Sequence, residues 1–190
     1  MTGRWWEYLL IFGGSTALWL VLTPLAIRVA FRLGHLDHPS GHKSHESPMP
    51  YLGGLALVAS FAVAVVLATL ISEPESGSRE LLIVLGAAVG LSVVGLVDDL
   101  RQLSPTWRLV AEVLAALTIW SVESGVNLTG VIAVDMPLTL LWVVGITNAF
   151  NLVDNMDGLA SGLAAIACVA FFAIGVANGQ FLVAGLAIGL

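Results

Sequence analysis

The sequence predicts an all-α polytopic membrane protein. Of its 190 residues, 58% are hydrophobic and only 11% are charged. A soluble domain is about 45–50% apolar and about 25% charged, so this composition excludes a soluble globular fold. The formal net charge is −6, and no run of lysine or arginine occurs, so nucleic acid is not an expected partner.

Apolar stretches of membrane-crossing length recur along the chain. A bilayer core about 30 Å thick needs about 20 apolar residues in a helix. We expect about six complete transmembrane helices and the start of a seventh, in a single integral-membrane domain over residues 1–190. Because the last stretch would rise only about 15 Å, the chain is expected to be the N-terminal part of a longer protein. The predicted spans are about 8–27, 52–71, 81–97, 109–122, 138–150, 159–177 and 181–190.

Each stretch has its own local justification. The first follows Arg4, as a signal peptide would, but its length and the lack of a clear cleavage site favour a retained span. The second and third stretches contain no charged residue. The fourth and fifth are short, so polar residues are expected to intrude at their ends. Glycine pairs four residues apart, such as Gly175 and Gly179, favour close helix packing in the later stretches.

Basic residues are concentrated in the breaks after the first, third and fifth stretches. These breaks share one face, because each span reverses the side of the membrane. The tendency of positive residues to lie inside makes this face cytoplasmic and puts the N-terminus outside. The membrane is expected to be the plasma (inner) membrane. The opposite face has only Arg4 and Arg79, whereas the three breaks contain Arg28, Arg32, Lys43, Arg101 and Arg108.

The first of these breaks contains all four histidines of the chain, between positions 35 and 45. A zinc site is only weakly indicated, because these histidines do not lie on an evident helix. A basic loop at a membrane surface is better suited to phosphate oxygens. The alternative is a polar linker between two spans.

The second break begins with the adjacent carboxylates Asp98 and Asp99 at the end of an apolar run. Carboxylates there are costly unless they meet water, a cation or a metal, and a helix C-terminus disfavours negative charge. Ser104 and Pro105 predict the start of the next helix. A role in ending one helix and starting the next therefore explains Ser104 and Pro105 well and the aspartate pair poorly.

The third break has a polar residue at every third position: Asn148, Asn151, Asp154 and Asp157. In a helix this spacing puts the four side chains along one side. No lysine or arginine accompanies them, so a divalent cation is the expected neutralising partner, and oxygen ligands favour Mg²⁺ or Mn²⁺. The alternative is that Asp157 caps the next helix and the asparagines bond across helices.

Because the three breaks share one face, we expect them to converge into one cytoplasmic site. It would combine a basic phosphate-binding loop with up to four aspartates around a metal. Such a site fits phosphoryl transfer between a water-soluble and a lipid substrate. Spacing alone does not identify those substrates.

Three motifs follow one another along the chain. The first comprises Asp37, Pro39, Lys43, His45, Pro48, Pro50, Gly53 and Gly54. The second is the aspartate pair with residues 103–105, and the third runs from Asn148 to Ala160. With these three motifs in this order, the chain resembles the polyprenyl-phosphate N-acetylhexosamine-1-phosphate transferases of glycosyltransferase family 4. It departs from their pattern at His42 and Asn155.

The resemblance implies a reaction and its partners. A UDP-N-acetylhexosamine, most simply UDP-N-acetylglucosamine, would give its sugar-1-phosphate to a polyprenyl phosphate and release UMP, starting cell-envelope polysaccharide synthesis. Mg²⁺, or Mn²⁺, would be the cofactor. The sugar, the length of the lipid carrier and the oligomeric state stay open, with a homodimer among the alternatives.

The resemblance also implies roles for individual residues. Asp154 would be the leading metal ligand, with Asp157 beside it. Asp98 would position or deprotonate the lipid phosphate, and Asp99 would support the metal or the substrate. The residues expected to bind substrate are Lys43, His45, Asn148, Asn151, Arg101 and Arg108.

Two other functions compete with this reading of the sequence. An ion-coupled transporter would need charged residues in the middle of its spans, whereas these aspartates lie at one face. A catalytically inactive or truncated paralogue that acts as a membrane scaffold would keep the spans without the chemistry.

Overall fold

The computed structural model describes residues 4–34, 36–37, 49–50, 52–71, 77–154 and 158–190. Within these ranges the chain forms seven helices and one pair of very short strands, so the predicted all-helical architecture is confirmed. The two strands pair antiparallel, with Leu36 opposite Pro50 and Asp37 opposite Met49. The elements are α1 (Trp5–Leu33), β1 (Leu36–Asp37), β2 (Met49–Pro50), α2 (Gly53–Ile71), α3 (Ser78–Arg101), α4 (Pro105–Ser121), α5 (Ile132–Val153), α6 (Leu159–Ala177) and α7 (Phe181–Gly189).

Five of the described helices, α1, α2, α3, α5 and α6, are long and apolar enough to cross a membrane. Their surfaces have the character expected for contact with lipid. Leu70 of α2 is 77% exposed and Ile166 of α6 is 70% exposed, as suits side chains that face hydrocarbon rather than water. The protein is therefore a polytopic membrane protein. The helix α4 has 17 residues, so a sixth complete span stays a prediction.

Two of the described helices extend about six residues beyond the apolar stretches predicted from hydropathy. The first helix continues past position 27 and ends only where Gly34 adopts a left-handed conformation (φ 71°). Arg28 and Arg32 consequently lie on α1 and not in the break that follows it. Hydropathy does not predict this extension, because a helix continues beyond its apolar residues until a residue such as glycine adopts a non-helical conformation.

The helix α5 begins at Ile132 and not at the predicted position 138. The turn before it folds onto the side chain of Asp135, which accepts the backbone N–H groups of Leu128, Thr129 and Gly130. Pro137 follows within the helix.

The main apolar core lies among α1, α2, the beginning of α3 and α7. Ile11, Phe61, Val65 and Leu85 are buried there against the side chains of α7. The helix α7 also packs closely on α6. The opposite end of α3 packs with α4, which in turn packs with α5, outside this core. Described polar residues of the second and third breaks lie there.

Candidate functional site

Asp98 accepts the backbone hydrogen bonds that end α3. Gln102 adopts a left-handed conformation (φ 50°), and its N–H donates to the Asp98 carbonyl oxygen over 2.7 Å. The N–H of Leu103 donates to Asp98 Oδ1 over 2.9 Å. The carboxylate thus accepts a main-chain donor just beyond the helix end, which offsets part of the unfavourable position of a negative charge there.

The following helix starts as the sequence predicts. Ser104 is extended at the N-cap position of α4, and Pro105 is the first helical residue. The short connection places Arg108, in the first turn of α4, against the end of α3. Arg108 Nη1 lies 3.2 Å from Asp98 Oδ2, with 31% and 21% of the two side chains exposed. Both oxygens of Asp98 therefore have partners, and α3 and α4 are linked by an ion pair.

The described polar residues of the third break lie at the end of α5. Asn148 and Asn151 are in the helix, and Asp154 is its C-cap residue. Asn148 Nδ2 donates to Glu112 Oε2 on α4 and to the carbonyl oxygen of Val144 over 2.9 Å. Both hydrogens of this amide are thus in use, and the group that Asn148 can offer a ligand is its oxygen, an acceptor.

The two acidic breaks meet at one cavity of about 210 Å³. Asp98 and Asp99 of α3 line it from one side and Asp154 of α5 from the other. The remaining polar side chains of its wall are Arg108, Glu112, Thr147 and Asn151. The cavity thus combines four carboxylates with a single guanidinium, two amide and hydroxyl side chains, and an apolar floor from α3.

A second cavity of about 280 Å³ lies between α4 and α5. Arg108, Glu112 and Asn151 line both cavities, and Asn148 lines only this one. Its rim is apolar, formed by Pro105 together with the exposed side chains of Leu109 and Leu152. An apolar rim that leads to a polar wall suits a ligand with a lipid tail and a charged head.

Among the described residues, one predicted site residue does not join the group. Arg101 lies exposed in the last turn of α3 and lines neither cavity. Lys43, His45 and Asp157 lie outside the described residues. The geometry therefore brings together members of the second and third breaks.

Sequence reasoning missed two members of this group, Glu112 and Thr147. Glu112 is only 5% exposed and lines both cavities. Its signal was a single acidic residue inside the apolar stretch 109–122, a position that is costly without a partner. Thr147 carries no charge and gave no such signal. Its hydroxyl donates to the carbonyl oxygen of Val143, one turn earlier.

The donor chemistry of the cavity fits a hard divalent cation. Apart from the guanidinium of Arg108, its polar groups supply carboxylate, amide and hydroxyl oxygens, which Mg²⁺ prefers to nitrogen or sulfur ligands. Among the described residues, no three acidic, histidine or cysteine side chains lie close enough together to hold a metal ion. Asp157, the second predicted ligand, falls outside that part of the chain.

Together these features define an integral membrane protein with an acidic cavity where the ends of three helices meet. Residues 81–190 match Glycosyl transferase family 4, which covers more than half of the chain. The chain belongs to this family, and the resemblance seen in its motifs is confirmed.

Curated relatives extend the match over most of the chain. The probable undecaprenyl-phosphate N-acetylglucosaminyl 1-phosphate transferase of Bacillus subtilis (strain 168) is 34% identical over 89% of this chain and 48% of its own length. The decaprenyl-phosphate N-acetylglucosaminephosphotransferase of Mycobacterium tuberculosis (strain H37Rv) is 34% identical over 78% of the chain and 41% of its own length. The phospho-N-acetylmuramoyl-pentapeptide-transferase of Bacillus velezensis is 28% identical over 86% of the chain and 56% of its own length.

The chain thus spans about half the length of the curated relatives it matches. No solved structure gives a significant match.

Proposed function

We propose that this chain belongs to an enzyme that transfers N-acetylhexosamine-1-phosphate, specifically N-acetylglucosamine-1-phosphate, from a UDP-sugar to a polyprenyl phosphate. An oxygen of the lipid phosphate attacks the phosphorus that bears the sugar. A new pyrophosphate bond forms, the bond from that phosphorus to the UMP oxygen breaks, and UMP leaves. The product is a lipid-linked pyrophosphate sugar that starts a cell-envelope polysaccharide.

One observation carries this proposal. Asp98, Asp99 and Asp154, which are far apart in the chain, line a single cavity together with Arg108. Phosphoryl transfer needs little covalent help from a protein, and catalysis rests on positioning and charge. The transferase names of the relatives support the same reaction class.

Arg108 is the phosphate-binding group in this proposal. A guanidinium has five N–H donors in a fixed fork, and one end of this fork already contacts Asp98. The carboxylate holds the fork in place, so the remaining donors are oriented before a phosphate arrives. Because one Asp98 oxygen accepts a hydrogen bond and the other pairs with Arg108, we assign Asp98 to positioning and not to proton removal. A phosphate monoester is largely dianionic at pH 7, so it needs little help from a base.

The two substrates approach from different sides. The polyprenyl phosphate enters through the apolar rim of the second cavity, between Leu109 and Leu152, and its phosphate reaches Arg108 at the common wall. The UDP-sugar enters from the cytoplasm, on the side that the basic residues favour. Asn151, which lines both cavities, contacts the substrates where they meet.

Asp154 and Asp157 would hold Mg²⁺ at this site, and Asp99 would support it. When bound, the cation neutralises phosphate charge and orients the reacting groups. Asp154 is exposed at the end of α5 and lines the cavity, so its carboxylate is accessible to a cation from the aqueous side.

The experiment uses membranes that contain the full-length protein, labelled UDP-N-acetylglucosamine, polyprenyl phosphate and Mg²⁺. Label should move into an organic-extractable lipid, EDTA should stop the transfer, and added Mg²⁺ should restore it. Parallel reactions with UDP-N-acetylgalactosamine and UDP-glucose test the choice of sugar. Transfer from another UDP-sugar alone would overturn the choice of substrate. If a folded protein transfers none of them, the proposed reaction is wrong.

A further inference from the structure

A buried glutamate on α4 stands beside the acidic cavity. Glu112 is only 5% exposed although it is a charged residue type, and its neighbours on α4 are mostly apolar. A carboxylate in such surroundings is costly unless a polar group pairs with it. The structure supplies that group from α5, because Asn148 Nδ2 donates to Glu112 Oε2. The two residues are 36 positions apart, so this contact fixes one helix against another and not a local turn.

The same helix face also contacts α3. Arg108, one turn before Glu112, pairs with Asp98 at the end of α3. The helix α4 thus makes one polar link to each of its neighbours. These links join the helices that contribute Asp98 and Asp99 on one side and Asp154 on the other. The width of the cavity between those carboxylates depends on where α4 holds α3 and α5.

The link to α5 also determines how Asn148 is oriented. Its amide nitrogen is used by Glu112 and by the carbonyl oxygen of Val144. An apolar side chain at position 112 would remove one acceptor and free the amide to rotate. The register of Asn151 and Asp154, one and two turns further along α5, follows from the same helix placement.

We propose that Glu112 is a positioning residue of this site, which accepts the Asn148 amide and thereby holds the polar end of α5 at a fixed distance from the aspartates of α3. Its effect on transfer rests on the proposed function, whereas its effect on helix placement does not. The hydrogen-bond acceptor is the feature that matters. A neutral acceptor of the same shape can therefore replace the carboxylate.

The test compares Glu112→Gln, which keeps an acceptor oxygen, with Glu112→Met, which keeps only the shape. In the full-length protein, Glu112→Met should lower kcat about 10- to 100-fold, the range for losing a charged or supporting hydrogen bond at a site. The KM for the UDP-sugar should change much less. Glu112→Gln should stay within about threefold of wild type, since a hydrogen bond between neutral groups keeps the link.

Asn148→Ala removes the same link from α5, so it should resemble Glu112→Met, and the double variant should be no worse than either single one. If Glu112→Met does not fold, Asn148→Ala still tests the link. Glu80→Met is the matched control, because Glu80 is an exposed glutamate in the first turn of α3, at the other end of that helix. Its activity should equal that of wild type.

A second readout does not depend on activity. Spin labels at Thr106→Cys on α4 and Ala149→Cys on α5, both exposed positions, report the distance between the helices once Cys168 is replaced by serine. The distance distribution should stay narrow in Glu112→Gln and should broaden or shift in Glu112→Met and in Asn148→Ala. If the wild type transfers no sugar phosphate, the proposed function fails, and this distance still tests Glu112.

Three results would overturn the proposal. One is an unchanged distance distribution in Glu112→Met. Another is a Glu112→Gln variant as inactive as Glu112→Met, which would show that the charge and not the acceptor matters. The third is an additive loss in the double variant, which would show that the two residues act separately.

Discussion

Replacing Gly175 by alanine places a methyl group against the backbone of α7. A Cβ atom at this position would lie 2.9 Å from the backbone nitrogen of Ala184 and 3.1 Å from its Cβ, whereas ordinary contacts begin at 3.4 Å. Because a backbone atom cannot rotate away, α6 and α7 must separate. Overpacking of this kind costs about 1–3 kcal/mol, and the better helix propensity of alanine returns about 0.5–1 kcal/mol. We expect a net loss of about 1–2 kcal/mol in the free energy of unfolding.

Gly162→Ala is the matched control on the same helix, because its added Cβ would have no atom within 4 Å apart from its chain neighbours and the nearby backbone of its own helix. It should raise stability by about 0.5–1 kcal/mol. Equilibrium unfolding in detergent micelles, with SDS as denaturant, measures both variants against wild type. If Gly175→Ala proves as stable as Gly162→Ala, the close packing of α6 on α7 described here is wrong.

The remaining predictions concern the loop before α5, the guanidinium and the cation. Asp135→Asn should lower the thermal unfolding midpoint by several degrees, because an amide NH₂ cannot accept hydrogen bonds from the main-chain N–H groups that the carboxylate binds. Glu123→Gln, at an exposed position in the same region, should leave the midpoint unchanged. Arg108→Met should lower transfer about 10²- to 10³-fold, and Arg108→Lys should recover part of it, because an ammonium keeps the charge but not the fork. Mn²⁺ should replace Mg²⁺ after EDTA treatment, whereas Zn²⁺ should replace it poorly, since the site offers oxygen ligands.

Much of the fold follows from hydropathy alone. Seven apolar stretches predicted seven helices in the part of the chain that the structure describes, because a helix is the element that satisfies its own backbone in lipid. The boundaries of α1 and α5 did not follow. They depend on where the backbone finds partners outside the helix, at Gly34 for α1 and at Asp135 for α5. Hydropathy carries no information on such hydrogen bonds.

The candidate site, like the fold, could be predicted from the sequence only in part. The rule that alternate breaks share a face predicted that Asp98, Asp99 and Asp154 would meet, and these residues line one cavity. The partner of Glu112 could not be predicted, because its contact with Asn148 joins residues on two different helices. A lone acidic residue in an apolar run signals that a partner exists, but spacing does not say which one.

The central claim is that the acidic cavity is the place of sugar-phosphate transfer. The most direct measurement compares initial rates of lipid-linked product formation for wild type, Asp154→Asn, Asp98→Asn and the control Glu80→Gln in membranes, each normalised to folded protein. Both cavity variants should lose at least about 100-fold in rate, as expected when a group that orients charge at a reacting centre is removed, and the control should match wild type. Wild-type rates in Asp154→Asn and Asp98→Asn would contradict the account.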